Sequence, residues 1–196
     1  MVIHGILLAA GEGRRMGGPK ALVEFAGETL HARAVERFRA AGLNVISVVN
    51  AQVGAALPPA RPGEIRLVNE DPGHADGMFR SVWLAVGQAI ALGADGVAIL
   101  PVDLPLMTPR DISVVAQGLE TGSPIVVATH RSRRGHPVGL NLAVMREVIA
   151  APPESTLRDI VRRAPERVGL VEASEGAVLG INTREELERL LNGSFR

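Results

Sequence analysis

The chain alternates between short, nearly unbroken apolar runs and longer stretches whose apolar residues recur every three or four positions. Residues 2–9, 45–49, 65–68, 96–101 and 125–129 are runs of the first kind. Such runs predict strands buried on both faces, as in the middle of a parallel sheet. Residues 138–140, 168–171 and 177–181 predict three further strands. Stretches of the second kind predict helices at residues 30–41, 78–92, 109–120, 142–150, 156–163 and 184–191. Thr29 stands where an N-cap belongs, and Gly42 stands where the first helix should stop. Thr108 with Asp111, and Thr183 with Glu186, read as capping boxes, the first with Pro109 at the opening helical position. Prolines at 58, 59 and 62 with Gly63 mark a surface loop, and residues 131–137 read as a basic turn.

Strand and helix alternate at least four times, which predicts an α/β fold with a mostly parallel sheet covered by helices on both faces. One domain over residues 1–196 accommodates the pattern. Ligands of such sheets sit outside the carboxyl ends of the strands. The segment 11–20, the polar loop 69–77 and Asp103 all follow strands, so they are expected to share one crevice.

Composition narrows the function. The formal net charge is zero, aromatic residues make up 3% of the chain and tyrosine is absent. A nucleic-acid partner, which calls for basic surface and stacking rings, is therefore not expected. No apolar stretch reaches membrane-spanning length and no signal peptide is visible, so no membrane partner is expected either. There is no cysteine, which removes disulfides and thiolate chemistry and fits a cytoplasmic setting.

The segment from Leu7 to Lys20 carries the most chemistry. It leaves an apolar strand at Gly11 and then supplies Gly11, Gly13, Gly17 and Gly18, with Arg14, Arg15 and Lys20. Glycines let the backbone turn its N–H groups toward one point, and cations beside them suit a polyanion such as a triphosphate. Of 21 basic residues Lys20 is the only lysine, which points to a need for a compact, flexible ammonium. It is not a Walker loop, because Pro19 precedes Lys20 and Ala21 follows, where a glycine and a hydroxyl are required. It is not a dinucleotide fingerprint, because the third glycine falls one position late and the second strand ends at Asn50 rather than at an acid.

Read from Leu8 to Lys20, the segment spells Leu-Ala-Ala-Gly-x-Gly-x-Arg-Met-Gly-x-x-Lys. This resembles the signature of the MobA/MocA-like nucleotidyltransferases of molybdenum cofactor maturation. Gly77-Met78-Phe79-Arg80-Ser81-Val82, Leu100-Pro101-Val102-Asp103-Leu104-Pro105, Arg134-Gly135-His136-Pro137 and the segment from Gly180 to Leu187 extend the resemblance, in the family's order. It implies a Rossmann-like three-layer α/β/α sandwich with a mixed sheet. It also implies a magnesium-dependent enzyme that moves a nucleoside monophosphate from an NTP, CTP or GTP, to a phosphorylated small-molecule acceptor. The acceptor implied is molybdopterin-like, and a molybdoenzyme or maturation chaperone is the implied protein partner.

On that resemblance Arg15 and Lys20 hold the triphosphate, and Leu8, Ala9, Ala10, Gly11 and Gly13 meet phosphates and base. Asp76, Gly77 and Ser81 lie beside the nucleotide, although solvation of a helix start explains Asp76 and Ser81 equally well. Asp103, at a sheet edge after an apolar strand, is the first metal candidate, and Asn182 the second. Gly180 to Thr183 also reads as an ordinary helix entry. His136 reads equally as an acceptor contact and as a structural residue, and Arg131, Arg133 and Arg134 as a solvated turn that attracts an anionic acceptor. Ala10, where the guanylyl branch tends to have glycine, tilts the donor toward CTP. An alternative of another class is a nucleotide-binding sensor without turnover, against which Lys20 and Asp103 argue together.

Overall fold

The computed structural model describes residues 1–71 and 77–193. The first strand, β1 (Ile3–Ala9), runs into the glycine loop, where Arg14–Met16 and Lys20–Leu22 each form one 3-10 turn. A small hairpin follows, made of β2 (Glu24–Phe25) and β3 (Glu28–Thr29). Then come α1 (Leu30–Ala40), β4 (Asn44–Val49), α2 (Ala51–Ala56), β5 (Glu64–Val68) and α3 (Gly77–Ala91). The second half contains β6 (Gly96–Pro101), α4 (Pro109–Glu120), β7 (Ile125–His130), β8 (Arg133–Asn141) and α5 (Leu142–Ala150). It closes with α6 (Leu157–Arg163), β9 (Val168–Glu172) and α7 (Arg184–Leu191).

The main sheet has seven strands in the order β5-β4-β1-β6-β8-β7-β9. β4 and β6 flank β1, both parallel to it, and β5 and β9 add parallel edges to β4 and β7. β8 pairs antiparallel with both β6 and β7, which makes the sheet mixed. Alternate strand residues feed two apolar layers, as a two-fold side-chain period requires. Leu7, Leu100 and Val126 face the side that holds Leu30 and Phe38 of α1 and Ile112 of α4. Ile6, Ile99 and Val127 face the side that holds Val82 of α3 and Met145 of α5. The result is a three-layer α/β/α sandwich. No helix among the described residues is long and apolar enough to cross a membrane.

Local signals act where they stand in the sequence. Thr29 caps α1 by accepting from the Ala32 N–H, and both capping boxes are complete. Other expectations need correction. Residues 177–181 are not a strand. Glu175–Ala177 forms a 3-10 turn, and the segment beyond it lies in irregular backbone. Ala177 and Ile181 are buried without a strand ladder, and the Ile181 N–H bonds singly to the Asp103 carbonyl. The basic turn shrinks to Arg131 and Ser132, whose φ angles are 48° and 67°. Residues from 133 onward belong to β8, which is longer than residues 138–140 and closes a tight hairpin with β7. Residues 51–56, with no strong apolar period, are helical because the Asn50 side chain caps them by accepting from the Val53 N–H. Residues 21–28, which show no apolar period, hold the end of a 3-10 turn, β2 and the first residue of β3.

A buried polar cluster joins α1 to the β4–β5 edge. His31 Nε2 lies 3.2 Å from Ser47 Oγ and 3.4 Å from Glu64 Oε1. Ser47 donates to Glu64 at 3.2 Å, and Arg66 Nε donates to Glu64 at 2.8 Å. Burial, reinforced by Arg66 and Arg61 against the pull of Glu64, depresses the His31 pKa from 6.5 to about 4. His31 is therefore neutral in the folded chain at neutral pH. The unfolded chain protonates first as pH falls, so stability present above pH 6.5 is lost between there and about pH 4. The loss expected from this group is on the order of 3 kcal/mol. Glu64, also held below its usual pKa, adds acid sensitivity at the low end of that window. Chemical-denaturation midpoints measured across the window should slope for the native chain and flatten for His31→Leu.

Candidate functional site

The sheet order places a topological switch point between β1 and β6. From β1 the chain moves outward to β4 and β5, then returns to form β6 on the other side of β1. Connections leaving the carboxyl ends of β1 and β6 therefore diverge, and a crevice opens between them. A cavity of about 200 Å³ occupies that place. Its walls are Leu8 from the end of β1, Ala10, Gly11 and Gly13 from the glycine loop, Pro101, Val102 and Asp103 at and just after the end of β6, and Gly77, Met78 and Ser81 from the start of α3. Lys20 reaches into it from the 3-10 turn that ends the loop.

Three polar groups from distant parts of the chain meet beside this cavity. Lys20 Nζ donates to Asp103 Oδ2 at 2.7 Å and to Asn182 Oδ1 at 2.9 Å. The Lys20 and Asp103 side chains are 18% and 26% exposed, so the pair is sheltered but open to an incoming ligand. Lys20 is separated from Asp103 by 83 residues and from Asn182 by 162.

The surroundings fix these groups. The Asp103 carbonyl accepts from the Ile181 N–H at 2.9 Å, which ties the two oxygen-bearing segments together. Glu186, the acid of the last capping box, accepts from the backbone N–H groups of Asn182 and Thr183. Asn182 is thus anchored through the start of α7. From the other side, Arg33 Nε donates to the Pro105 carbonyl at 2.8 Å and Arg37 Nε to the Met107 carbonyl at 3.1 Å. Arg33 also lies over the Phe25 ring, 5.0 Å from its centroid. Gly135 and Gly176 permit close packing here. A Cβ on Gly176 would lie 2.3 Å from the Leu106 carbonyl oxygen, and one on Gly135 would lie 2.0 Å from that of Ala177.

The expected site residues divide into those brought together and those left apart. Leu8, Ala10, Gly11, Gly13, Lys20, Gly77, Ser81 and Asp103 line the cavity. Ala9 does not; it is buried in the core on the α1 side. Arg15 is exposed on the 3-10 turn, whose buried anchor is Met16, and it does not line the cavity. Asp76 lies outside the described residues. Ser81 lines the wall, but its hydroxyl donates to the Gly77 carbonyl and accepts from Asn69 Nδ2. That makes Ser81 a brace for the α3 start. His136 sits on β8, where burial lowers its pKa against the opposing pull of the Asp103 charge and of a backbone hydrogen bond at Ile99. Its Nδ1 is buried and has no hydrogen-bond partner among the described residues.

Sequence reasoning missed several residues that hold the site. Asn50 donates to the Ala10 carbonyl at 2.9 Å and so pins the loop entry while it caps α2. Asn69 donates to the Gly77 carbonyl at 3.0 Å. A polar residue straight after an apolar strand was the available signal for both. Arg33 and Arg37 had none beyond their helical spacing.

The donor set is suited to a hard divalent cation. Asp103 and Asn182 offer two oxygens that already converge on one cationic nitrogen. Among the described residues no group of three or more His, Cys, Asp or Glu side chains could hold a metal, so phosphate and water oxygens would complete the shell.

Fold and crevice together define an α/β/α protein of the nucleotidyltransferase type. The description "MobA-like NTP transferase domain" matches residues 5–168, and the chain belongs to that family. It is 33% identical to the protein named nicotine blue oxidoreductase from Paenarthrobacter nicotinovorans, with 96% of each chain covered. It is 30% identical to a molybdenum cofactor guanylyltransferase from Cereibacter sphaeroides, over 96% of this chain and 95% of that one. In structure it is similar to Rv0371c from Mycobacterium tuberculosis H37Rv, at a TM-score of 0.80, 23% identity and 97% coverage of both chains. The manganese complex of Rv0371c superposes at 0.74, with 21% identity and 98% and 99% coverage. A 2-C-methyl-D-erythritol 4-phosphate cytidylyltransferase from Thermus thermophilus superposes at 0.72, with 19% identity and 99% coverage of both.

Proposed function

We infer that the chain transfers a nucleoside monophosphate from an NTP, with CTP favoured over GTP, to the phosphate of a small molecule of the molybdopterin kind. An acceptor phosphate oxygen attacks the α-phosphorus, the bond to the β-phosphate breaks, and pyrophosphate leaves. The observation that carries this reading is the meeting of Lys20, Asp103 and Asn182 at the switch-point crevice. The reaction asks mainly for positioning and for relief of charge on the phosphates. Lys20 would move onto the triphosphate, and the N–H groups of the glycine loop would face its oxygens. Asp103 and Asn182 would hold a Mg²⁺ ion, which supplies Lewis-acid stabilisation when bound. Arg15 would approach the phosphates only by turning inward from its exposed position.

The acceptor side is read from β8. Because β8 runs antiparallel to β6, its start and the tip at Arg131 lie at the same end of the sheet as Asp103. Arg131, Arg133 and Arg134 at that tip favour an anionic acceptor. The CTP preference rests on Ala10, a buried methyl on the cavity wall where glycine would leave more room.

The test is a pyrophosphate-release assay over the four NTPs with Mg²⁺ and a molybdopterin-type acceptor. Release with CTP above GTP is the expected result. Binding of an NTP with no release for any acceptor would favour a sensor. Because one relative is named an oxidoreductase, NADH and NADPH consumption belongs in the same screen. Turnover there, without pyrophosphate release, would replace the transfer reading.

A further inference from the structure

Lys20 engages the two oxygens that would hold a divalent cation. Its ammonium takes both converging oxygens, Asp103 Oδ2 at 2.7 Å and Asn182 Oδ1 at 2.9 Å. No other ion pair to Asp103 is present among the described residues, so this one cation balances the carboxylate. A divalent ion that took these same two oxygens would come into close contact with the ammonium, and like charges held so near in a sheltered site repel strongly. Lys20 can leave without unfolding anything. Its side chain is flexible, and it lines the same cavity as Gly11 and Gly13 of the loop.

We propose that Lys20 is the resident cation of the Asp103–Asn182 site in the free protein, and that a divalent ion enters only when a triphosphate draws the ammonium away. This rests on the nucleotide-transfer reading for the identity of the anion. A triphosphate offers Lys20 several charged oxygens in place of one carboxylate and one amide. Once Lys20 moves, Asp103 and Asn182 are freed together, since the Ile181 N–H to Asp103 carbonyl bond keeps their segments side by side. Metal and nucleotide then bind with positive coupling, and each raises the affinity of the other by the same factor. The device keeps the free protein from holding a divalent ion without substrate.

Two measurements test this. The first is manganese binding to the nucleotide-free protein, followed by loss of the free-ion electron paramagnetic resonance signal. Lys20→Met should bind manganese at least tenfold more tightly than the native chain. Adding Asp103→Asn to that variant should abolish the gain. Equal or weaker binding by Lys20→Met overturns the proposal. A gain that survives Asp103→Asn also overturns it, because the ion then sits elsewhere. The second measurement needs no variant. Lys20 is the only lysine in the chain, so ¹⁵N-lysine labelling gives a single side-chain ammonium signal. Magnesium alone should leave that signal in place, and a non-hydrolysable NTP analogue with magnesium should move it. Displacement by magnesium alone overturns the exchange.

The two readings fail separately. Pyrophosphate release by the native chain with no manganese gain in Lys20→Met keeps nucleotidyl transfer and removes the exchange. A manganese gain in a protein that releases no pyrophosphate keeps Lys20 as the metal's competitor and removes nucleotidyl transfer.

Discussion

Asp103→Asn should lower turnover by roughly 10²- to 10³-fold while leaving the chain folded. Lys20→Met should do the same. On the proposed reaction Lys20 would itself meet the charge that develops as pyrophosphate departs, Asp103 would hold the divalent ion that meets it, and a single contribution of that kind is worth ~3–4 kcal/mol. The asparagine keeps the size and one oxygen of the aspartate but removes the charge that a divalent ion requires. The magnesium concentration needed for half-maximal rate should therefore rise in Asp103→Asn. The double variant should fall by less than the product of the two single losses, because Lys20 and Asp103 contact each other at 2.7 Å. Steady-state rates for the four chains, with magnesium titrated in each, check all of this. Native-like rates in Lys20→Met would remove Lys20 from the reaction, and an unchanged magnesium titration in Asp103→Asn would move the ion elsewhere.

The second large effect is expected from one methyl group in the glycine loop. Gly13 has φ of 63°, and a Cβ there would lie 1.9 Å from the Gly18 carbonyl oxygen and 3.0 Å from the Lys20 N. The obstacles are backbone atoms, so no side chain can move aside. Gly13 also accepts from Met16 N–H at 2.8 Å and Gly18 N–H at 3.3 Å, so rebuilding the turn breaks these bonds. Gly13→Ala must shift Lys20, and a displacement of about 1 Å in a positioning group costs ~10²-fold in rate. Gly11 is the control. Its Cβ would meet nothing within 4 Å, and it lines the cavity. Gly11→Ala should keep the melting temperature of the native chain and weaken NTP binding alone. Thermal melts paired with NTP titrations separate the two. A loss of stability in Gly11→Ala, or none of activity in Gly13→Ala, would contradict the account.

These two glycines look alike in the sequence, and only the fold tells them apart. The same holds for much of the site. The Leu8 to Lys20 segment declares its chemistry through composition. The apolar run before Asp103 declares a strand end. Thr108 with Asp111 and Thr183 with Glu186 declare helix starts, because a cap is a contact between residues three apart. Residues 177–181 misled, because an apolar run says only that side chains are buried and not whether a neighbouring strand supplies hydrogen bonds. Asn50, Arg33 and Arg37 were silent for a related reason. Their partners, the carbonyls of Ala10, Pro105 and Met107, are between 40 and 72 residues away.

By itself the sequence determined the alternation of strands and helices, the glycine turn after the first strand and the identity of the charged groups. All of these follow from side chains acting on their own stretch of backbone. Tertiary structure alone decided that β8 runs against its neighbours, that Arg15 faces solvent, and that Lys20 closes on Asp103 and Asn182. Those outcomes depend on which strand returns beside β1, a choice made by the whole core and written in no single segment.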